Sequence, residues 1–280
     1  MPTWICRACG TQHPDTEAPP AACPICDDPR QPVPPSGQAW TTPEELARTH
    51  DATIRVLERD REGEPLLVGI GSTPGFAIGQ RALLVRGPSG NVLWDCVPLL
   101  DPTIRLAVES LGGIHVIAIS HPHYYSTMVD WAHAFGARIL LHEADREWVM
   151  RPDPVVEHWS GEELALPQGP LLIRGGGHFA GGTVLHWPQG TDGRGALLSG
   201  DIVTVLPDQR LVSFMYSYPM LLPLPESEVR RLLAAIEPLP FDRIYGAWWE
   251  RVIPSGAKAA VSESGRRYLE ALAGHLPIHG

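Results

Sequence analysis

From about residue 51 the chain consists of short apolar runs separated by turn-forming residues. "TIRVLE", "PLLVGIG", "RALLVRG" and "NVLWDCV" read as strands, the last two joined by a turn at "GPSGN", residues 87–91. "DPTIRLAVESLGG" opens on Asp-Pro, carries apolar residues at helical spacing and stops at Gly-Gly, so it predicts a helix. The pattern then alternates: strand "IHVIAIS", helix "STMVDWAHAFG", strand "ARILL", helix "HEADREWVM". Further strands are expected at "PLLIRGG", "GTVLHW", "ALLSGD" and "DRIYG", and helices at "ESEVRRLLAAIEP" and "AKAAVSESGRRYLEALAG". Strands that come first as a block and then mix with helices predict an α/β (α+β) protein of stacked sheets flanked by helices.

The first residues break this pattern. "WICRACGTQHPDTEAPPAACPICDD" has almost no apolar core, and it holds four of the five cysteines, as Cys6-x2-Cys9 and Cys23-x2-Cys26. So short a segment cannot bury enough surface to fold unaided. Four thiolates around one tetrahedral ion supply what is missing, about 10–16 kcal/mol of apparent binding energy for zinc. Zinc and iron both accept this ligand set; a structural zinc is expected, and iron stands as the alternative. The Pro-rich stretch "DDPRQPVPPSGQ", residues 27–38, predicts an extended tether without regular structure. The expected boundary lies there, with a module and linker over 1–38 and a large domain over 39–280. The pattern Cys6, Cys9, Gly10 followed by Cys23, Pro24, Cys26 resembles the short-spacer rubredoxin-like module of rubrerythrins, and it also resembles ordinary zinc ribbons. Cys96, inside "VLWDCV", reads as a small core residue.

The 280 residues suit one large domain, or one large and one small. With a formal net charge of -10 and no basic stripe, nucleic acid is not an expected partner. No apolar run reaches the roughly 18 residues of a membrane helix, and the N-terminus lacks a signal-peptide pattern. No membrane partner is expected, and the expected location is the cytoplasm.

The candidate chemistry begins at "AISHPHYYSTMVDW", residues 118–131. His121 and His123 follow a predicted strand. If that strand stays extended, residues two apart project to the same side and both imidazoles converge on one ion. Two later segments strengthen the case. "GGGHFAGGTVLHW" places His178 in a glycine-dense loop, and "ALLSGDI" places Asp201 at the end of an apolar strand, where a carboxylate is costly unless paired or bound to a metal.

In order and spacing, "VLWDCV", "ISHPHYYS", "GGGHFAGGT" and "LLSGDI" resemble the metallo-β-lactamase superfamily over roughly residues 51–260. The resemblance implies an αββα sandwich with a metal site on one edge, held by His121, His123 and His178, with Asp201 in the position that bridges two metals in many relatives. The family pattern H-x-H-x-D-H would put aspartate at Tyr125 and histidine at Ser126. It would put a last histidine near "IYGAWWERV", where Ala247, Trp248 and Trp249 stand. With those three ligands gone, one active-site metal is expected rather than two. Zinc is the first choice and iron the alternative.

Tyr124, Tyr125 and Ser126 are candidate catalytic contacts to the ion or the substrate, beside Asp201. Trp248 and Trp249, with "FMYSYPMLLPLP" (214–225), are candidates for an apolar substrate wall or a homodimer contact. The partner expected first is a small-molecule substrate, apolar or aromatic. Three readings of function follow. One is a mononuclear hydrolase that activates water against an ester, thioester or related bond. The second is a mononuclear iron oxidoreductase, resembling persulfide dioxygenases, served by a rubredoxin-like electron-transfer module. The third is a degenerate member that binds metal without catalysis.

Overall fold

The structure, a computed structural model, describes residues 1–276; positions 277–280 of the expected large domain lie outside the described residues. Two sheets face each other. One has seven strands, in the order Val156–Trp159, Arg138–His142, Val116–Ala118, Val92–Trp94, Ala82–Val85, Pro65–Thr73, Asp51–Arg59. The other has six, in the order Glu163–Ala165, Leu171–Arg174, Thr183–Trp187, Ala196–Gly200, Arg243–Gly246, Val252–Ile253.

The strand sequences explain the sandwich. Leu83, Val85, Trp94, Ala118 and Leu140 meet Leu172, Leu185, Leu198 and Tyr245 between the sheets. Their neighbours Ala82, Leu84, Leu93, Ile117, Ile139 and Leu141 face outward, into a layer shared with the helices Pro102–Ser110 and Met128–Phe135. On the second sheet, Ile173, Val184, Leu197 and Ile244 pack against the helices Glu226–Ile236 and Ala257–Leu272. Strands buried on both faces read as unbroken apolar runs, as "ALLV" and "VIA" do. The result is the αββα sandwich.

Short signals set the helix ends. Asp101 accepts the Ile104 N–H at 2.7 Å and Pro102 fills the first turn. Gly136, at φ 66°, closes the helix Met128–Phe135. No helix of the described residues is long and apolar enough to cross a membrane.

Thr3–Cys6 pairs with Gln12–Asp15 on one side and with Trp40–Thr41 on the other, so the small sheet reaches to residue 41, past the boundary expected at residue 38. Residues 28–39 carry no helix or strand. The small sheet lies against the helix Met128–Phe135 and the loop at Arg151: Arg151 donates to Gln12 at 2.5 Å and to Asp130 at 2.6 Å, and Gln12 donates to Asp130 at 2.6 Å.

Candidate metal centres

The strand leading to the first histidines ends at Ala118. His121 is extended (φ -170°, ψ 169°), and Pro122–Tyr124 then form a 3₁₀ turn. This corrects the sequence expectation. His121 and His123 converge because a proline-started turn folds His123 back, not because a continuous strand alternates its faces. His178 comes from the glycine-dense loop 175–182, and Asp201 directly follows Ala196–Gly200. Gly200, at φ 52°, lies so close to the first loop that a Cβ there would come 2.5 Å from Ser120 Oγ, which is how the Asp201 segment reaches the histidines.

The four groups meet in a buried cluster whose candidate ligand atoms all lie within 4.8 Å of one another. The imidazole centroids are 5.0 to 5.1 Å apart pairwise. His178 donates from Nδ1 to the Tyr216 carbonyl at 2.8 Å, which leaves the Nε2 lone pair facing inward, 3.3 Å from His123 Nδ1. His121 Nδ1 lies 2.9 Å from Ser120 Oγ, and its Nε2 lies 3.9 Å from Asp201. Nε2 of His121, Nε2 of His123 and Oδ1 of Asp201 are buried without a partner. Burial holds the pKa of His121 and His123 well below the ordinary imidazole value and lowers His178 to about 4, so the rings are neutral. Burial also raises Asp201 and Asp95 to about 7 each, opposed in Asp95 by the hydrogen bond from Ser120 N–H at 2.8 Å. Neutral nitrogen lone pairs and a carboxylate oxygen aimed at one point fit a divalent cation. The N–H···O contacts behind His121 and His178 are the outer-shell partners that orient such ligands.

One consequence is measurable without activity. With no cation present, Asp201 keeps its proton in the folded protein up to about pH 7 but releases it near 3.8 when unfolded. Its stabilising contribution is therefore complete below pH 3.8 and lost as pH rises to about 7. Protein stripped at the histidine site should lose stability relative to Asp201→Asn at about 1.4 kcal/mol per pH unit across that window. Urea unfolding of the two proteins from pH 4 to 8 measures the difference; a flat difference would show that Asp201 is not desolvated.

Phe179 and Tyr124 complete the lining. The Phe179 ring centroid is 5.6, 4.9 and 5.2 Å from His121, His123 and His178. Tyr124 packs 4.4 Å from His121, and its hydroxyl faces Asp201 without closing a hydrogen bond. Tyr125 and Ser126 stand elsewhere. They line a narrow crevice with Thr11, Gln12 and Met150, and Ser126 lies against Gly10 of the small sheet. The sequence pattern did not single out Phe179 or Arg30, although Phe179 stands beside His178 in "GGGHF"; Tyr216 and Tyr218 belong to "FMYSYPMLLPLP", expected as an apolar substrate wall.

The second centre is the cysteine cluster. Cys6 and Cys9 flank the turn after Thr3–Cys6, and Cys23 caps the single helical turn Pro24–Asp27 that carries Cys26. Sγ atoms of Cys6 and Cys26 are 3.5 Å apart, those of Cys9 and Cys23 3.7 Å, and all four thiols are free and buried. A tetrahedral site with metal–sulfur bonds of roughly 2.3 Å has edges of about 3.8 Å, whereas a disulfide is about 2.05 Å. The four sulfurs fit a metal.

No family model matches the chain. It is 48% identical over 276 residues to the Bacillus subtilis (strain 168) "Uncharacterized protein YmaE", covering 99% of each chain. The chain belongs to the YmaE family. Among solved structures, the YmaE-family chain is similar to the metallo-β-lactamase SMB-1 bound to 2-mercaptoethanesulfonate, with TM-score 0.52 and 19% identity over 75% of this chain and 95% of that one. It is also similar to the first B3 metallo-β-lactamase with an active-site glutamic acid, with TM-score 0.51 and 18% identity over 75% of this chain and 87% of that one. The YmaE-family chain therefore has the metallo-β-lactamase fold, preceded by a four-cysteine cluster.

Beside the histidine site a cavity of about 730 Å³ opens between Leu206, Tyr218, Trp248, Trp249, Glu250 and Arg251. Tyr218 joins cavity to site: its hydroxyl donates to the Asp201 carbonyl at 2.8 Å, and its ring centroid is 5.4 Å from His178. Trp249 is seated on bare backbone, since a Cβ at Gly69 would meet its ring at 2.6 Å. Trp248 donates its indole N–H to the Ile78 carbonyl at 3.2 Å.

Proposed function

We propose that the protein is a mononuclear metal-dependent hydrolase acting on an ester, thioester or related bond of a small substrate with an apolar or aromatic group. The observation that carries this reading is the buried cluster of His121, His123, His178 and Asp201, with its unpartnered inward-facing atoms. When bound, a divalent cation supplies Lewis acidity to water and to a carbonyl. The three neutral imidazoles hold it. Asp201, whose Oδ1 has no partner, accepts a proton from the attacking water, and the Tyr124 hydroxyl opposite is placed to donate to the developing oxyanion or the leaving group. The aromatic cavity at Tyr218, Trp248 and Trp249 receives the apolar part of the substrate. A single ion is favoured because Tyr125 and Ser126 line a crevice with Thr11 and Gln12 of the cysteine module, and neither offers the carboxylate or imidazole that a second ion would need.

Element analysis should find one ion per chain beyond that of the cysteine cluster. Hydrolysis of an ester and thioester panel should vanish on stripping that ion and return on adding it back. Two ions in the large domain would overturn the mononuclear reading, and activity that survives stripping would overturn the metal-dependent one.

A specific observation favours a second reading, an iron oxidoreductase. Trp148 packs against the hydrophobic cluster that includes the four cysteines and lies 5.6 Å from Phe179, which touches all three imidazoles, so two aromatic rings lie between the centres. The visible spectrum separates the two. Iron thiolate is red and bleaches with dithionite, whereas a zinc protein is colourless.

A further inference from the structure

Arg30 lies four residues after Cys26, within the loop that leaves the cysteine cluster. Asp28 grips it with both carboxylate oxygens, at 2.6 Å to Nε and 2.7 Å to Nη2. The remaining guanidinium nitrogen, Nη1, donates to the backbone carbonyl of His178 at 2.9 Å. The guanidinium carbon stands 3.7 Å above the centroid of Phe179, the ring that touches all three histidines, and 5.4 Å from that of Trp148, which packs on the cysteine cluster. The side chains of Arg30 and Asp28 are only 12% and 13% exposed.

This arginine is not a free cation awaiting an anionic substrate, because its fork is committed to Asp28 and to His178. A second contact follows the same route. Ser217 donates to the Pro29 carbonyl at 2.8 Å, and its neighbour Tyr216 supplies the carbonyl that accepts the His178 Nδ1–H. His178 is therefore held by its main chain and by its ring, and both holds are anchored to residues 28–30. The loop that carries it contains Gly175, Gly176, Gly177, Gly181 and Gly182, and so has little stiffness of its own.

We infer that Arg30 is a positioning residue that makes the affinity of the histidine centre for its metal depend on the loaded cysteine module. The module folds around its own ion. Once folded, it presents Asp28 and Arg30, and Arg30 fixes His178 and Phe179. This rests on the reading of the histidine cluster as a metal site. It adds an order of assembly, with cysteine centre first and histidine centre second.

Cobalt(II) titration of the full-length metal-free protein tests both steps, because thiolate-bound cobalt gives intense sulfur charge-transfer bands and nitrogen–oxygen-bound cobalt does not. In the wild type the sulfur bands should saturate before the weaker bands of the histidine centre appear. Arg30→Ala should leave the sulfur bands unchanged and weaken the histidine centre by about 10–100-fold, the usual effect of losing an outer-shell partner. Arg30→Lys keeps one donor but not the fork, and should recover part of that loss. Wild-type affinity at the histidine centre in both variants would overturn the inference, as would an Arg30→Ala loss matched by loss of the sulfur bands. If the wild type itself binds no cobalt outside the cysteines, the metal reading of the histidine cluster fails and the inference fails with it.

Discussion

Cys9→Ser should cost the protein one metal ion per chain and unfold residues 1–41 while the sandwich stays folded. Among the described residues, the module's hydrophobic content is mainly Ile5, Ala8, Ile25 and the cysteines themselves, with Trp40, Trp148 and Met150 at its margin. That is too little to offset the ordering of some forty residues at about 1–2 kcal/mol each for the backbone alone. A tetrathiolate ion supplies about 10–16 kcal/mol, and a serine hydroxyl in place of one thiolate forfeits a large share of it. The damage should stop at the interface, because the large domain has cores between and outside its sheets that do not involve the cysteines. Hydrogen exchange should show lost protection in Thr3–Cys6, Gln12–Asp15 and Trp40–Thr41 and retained protection in Val116–Ala118 and Ala196–Gly200. Metal content and small-sheet protection at wild-type levels would refute a structural role for the ion.

The elements legible in the sequence were those whose physics is local. "ALLV", "VLW", "VIA" and "ILL" are unbroken apolar runs bounded by turns, because both their faces are buried. The helices at Pro102–Ser110 and Met128–Phe135 carry their stop signals in the chain, at Gly112–Gly113 and Gly136. The short pairs Thr204–Val205 with Val212–Ser213, and Met215–Ser217 with Leu222–Pro223, went unread as strands. Two or three residues show no period, and these hairpins form because the surrounding body holds them. The same division runs through the site. His121, His123, His178 and Asp201 could be read because an ionisable residue ending an apolar run is a costly local anomaly. Arg30 could not, because arginine in a Pro-rich loop is ordinary and its partners, Phe179 and the His178 carbonyl, are some 150 residues away in sequence. The convergence of His121 and His123 was expected for a reason that does not hold, since it is Pro122 that starts a 3₁₀ turn. A proline both ends a strand and opens a helical turn, and spacing alone does not tell the two apart.

His123→Ala should abolish metal binding at the histidine centre, and with it the proposed hydrolysis, at a cost to the fold of the metal-free protein of no more than a few kcal/mol. Buried polar side chains normally resist truncation because their partners are left stranded. His123 is different: its Nε2 is buried with no partner, and its Nδ1 faces only His178 Nε2, 3.3 Å away. Without a cation, His123 Nδ1–H donates to the His178 Nε2 lone pair, so removing the imidazole gives up that one N–H···N bond and opens a cavity while relieving the unpartnered Nε2, opposing effects of a few kcal/mol or less. With a cation the balance reverses, since one of three nitrogen ligands is lost. The affinity loss should exceed the roughly 10–100-fold of an outer-shell change. Thermal unfolding separates the two states. With the cysteine centre already loaded, excess zinc should raise the wild-type melting temperature through its preference for the folded state and leave His123→Ala unmoved. His133→Ala is the matched control, because His133 lies on the surface, paired with Asp153 at 2.9 Å and remote from the cluster; it should respond to zinc as the wild type does. A zinc-dependent rise in His123→Ala equal to that of the wild type would mean that the three imidazoles and Asp201 do not hold an ion, and the hydrolase reading would lose its foundation.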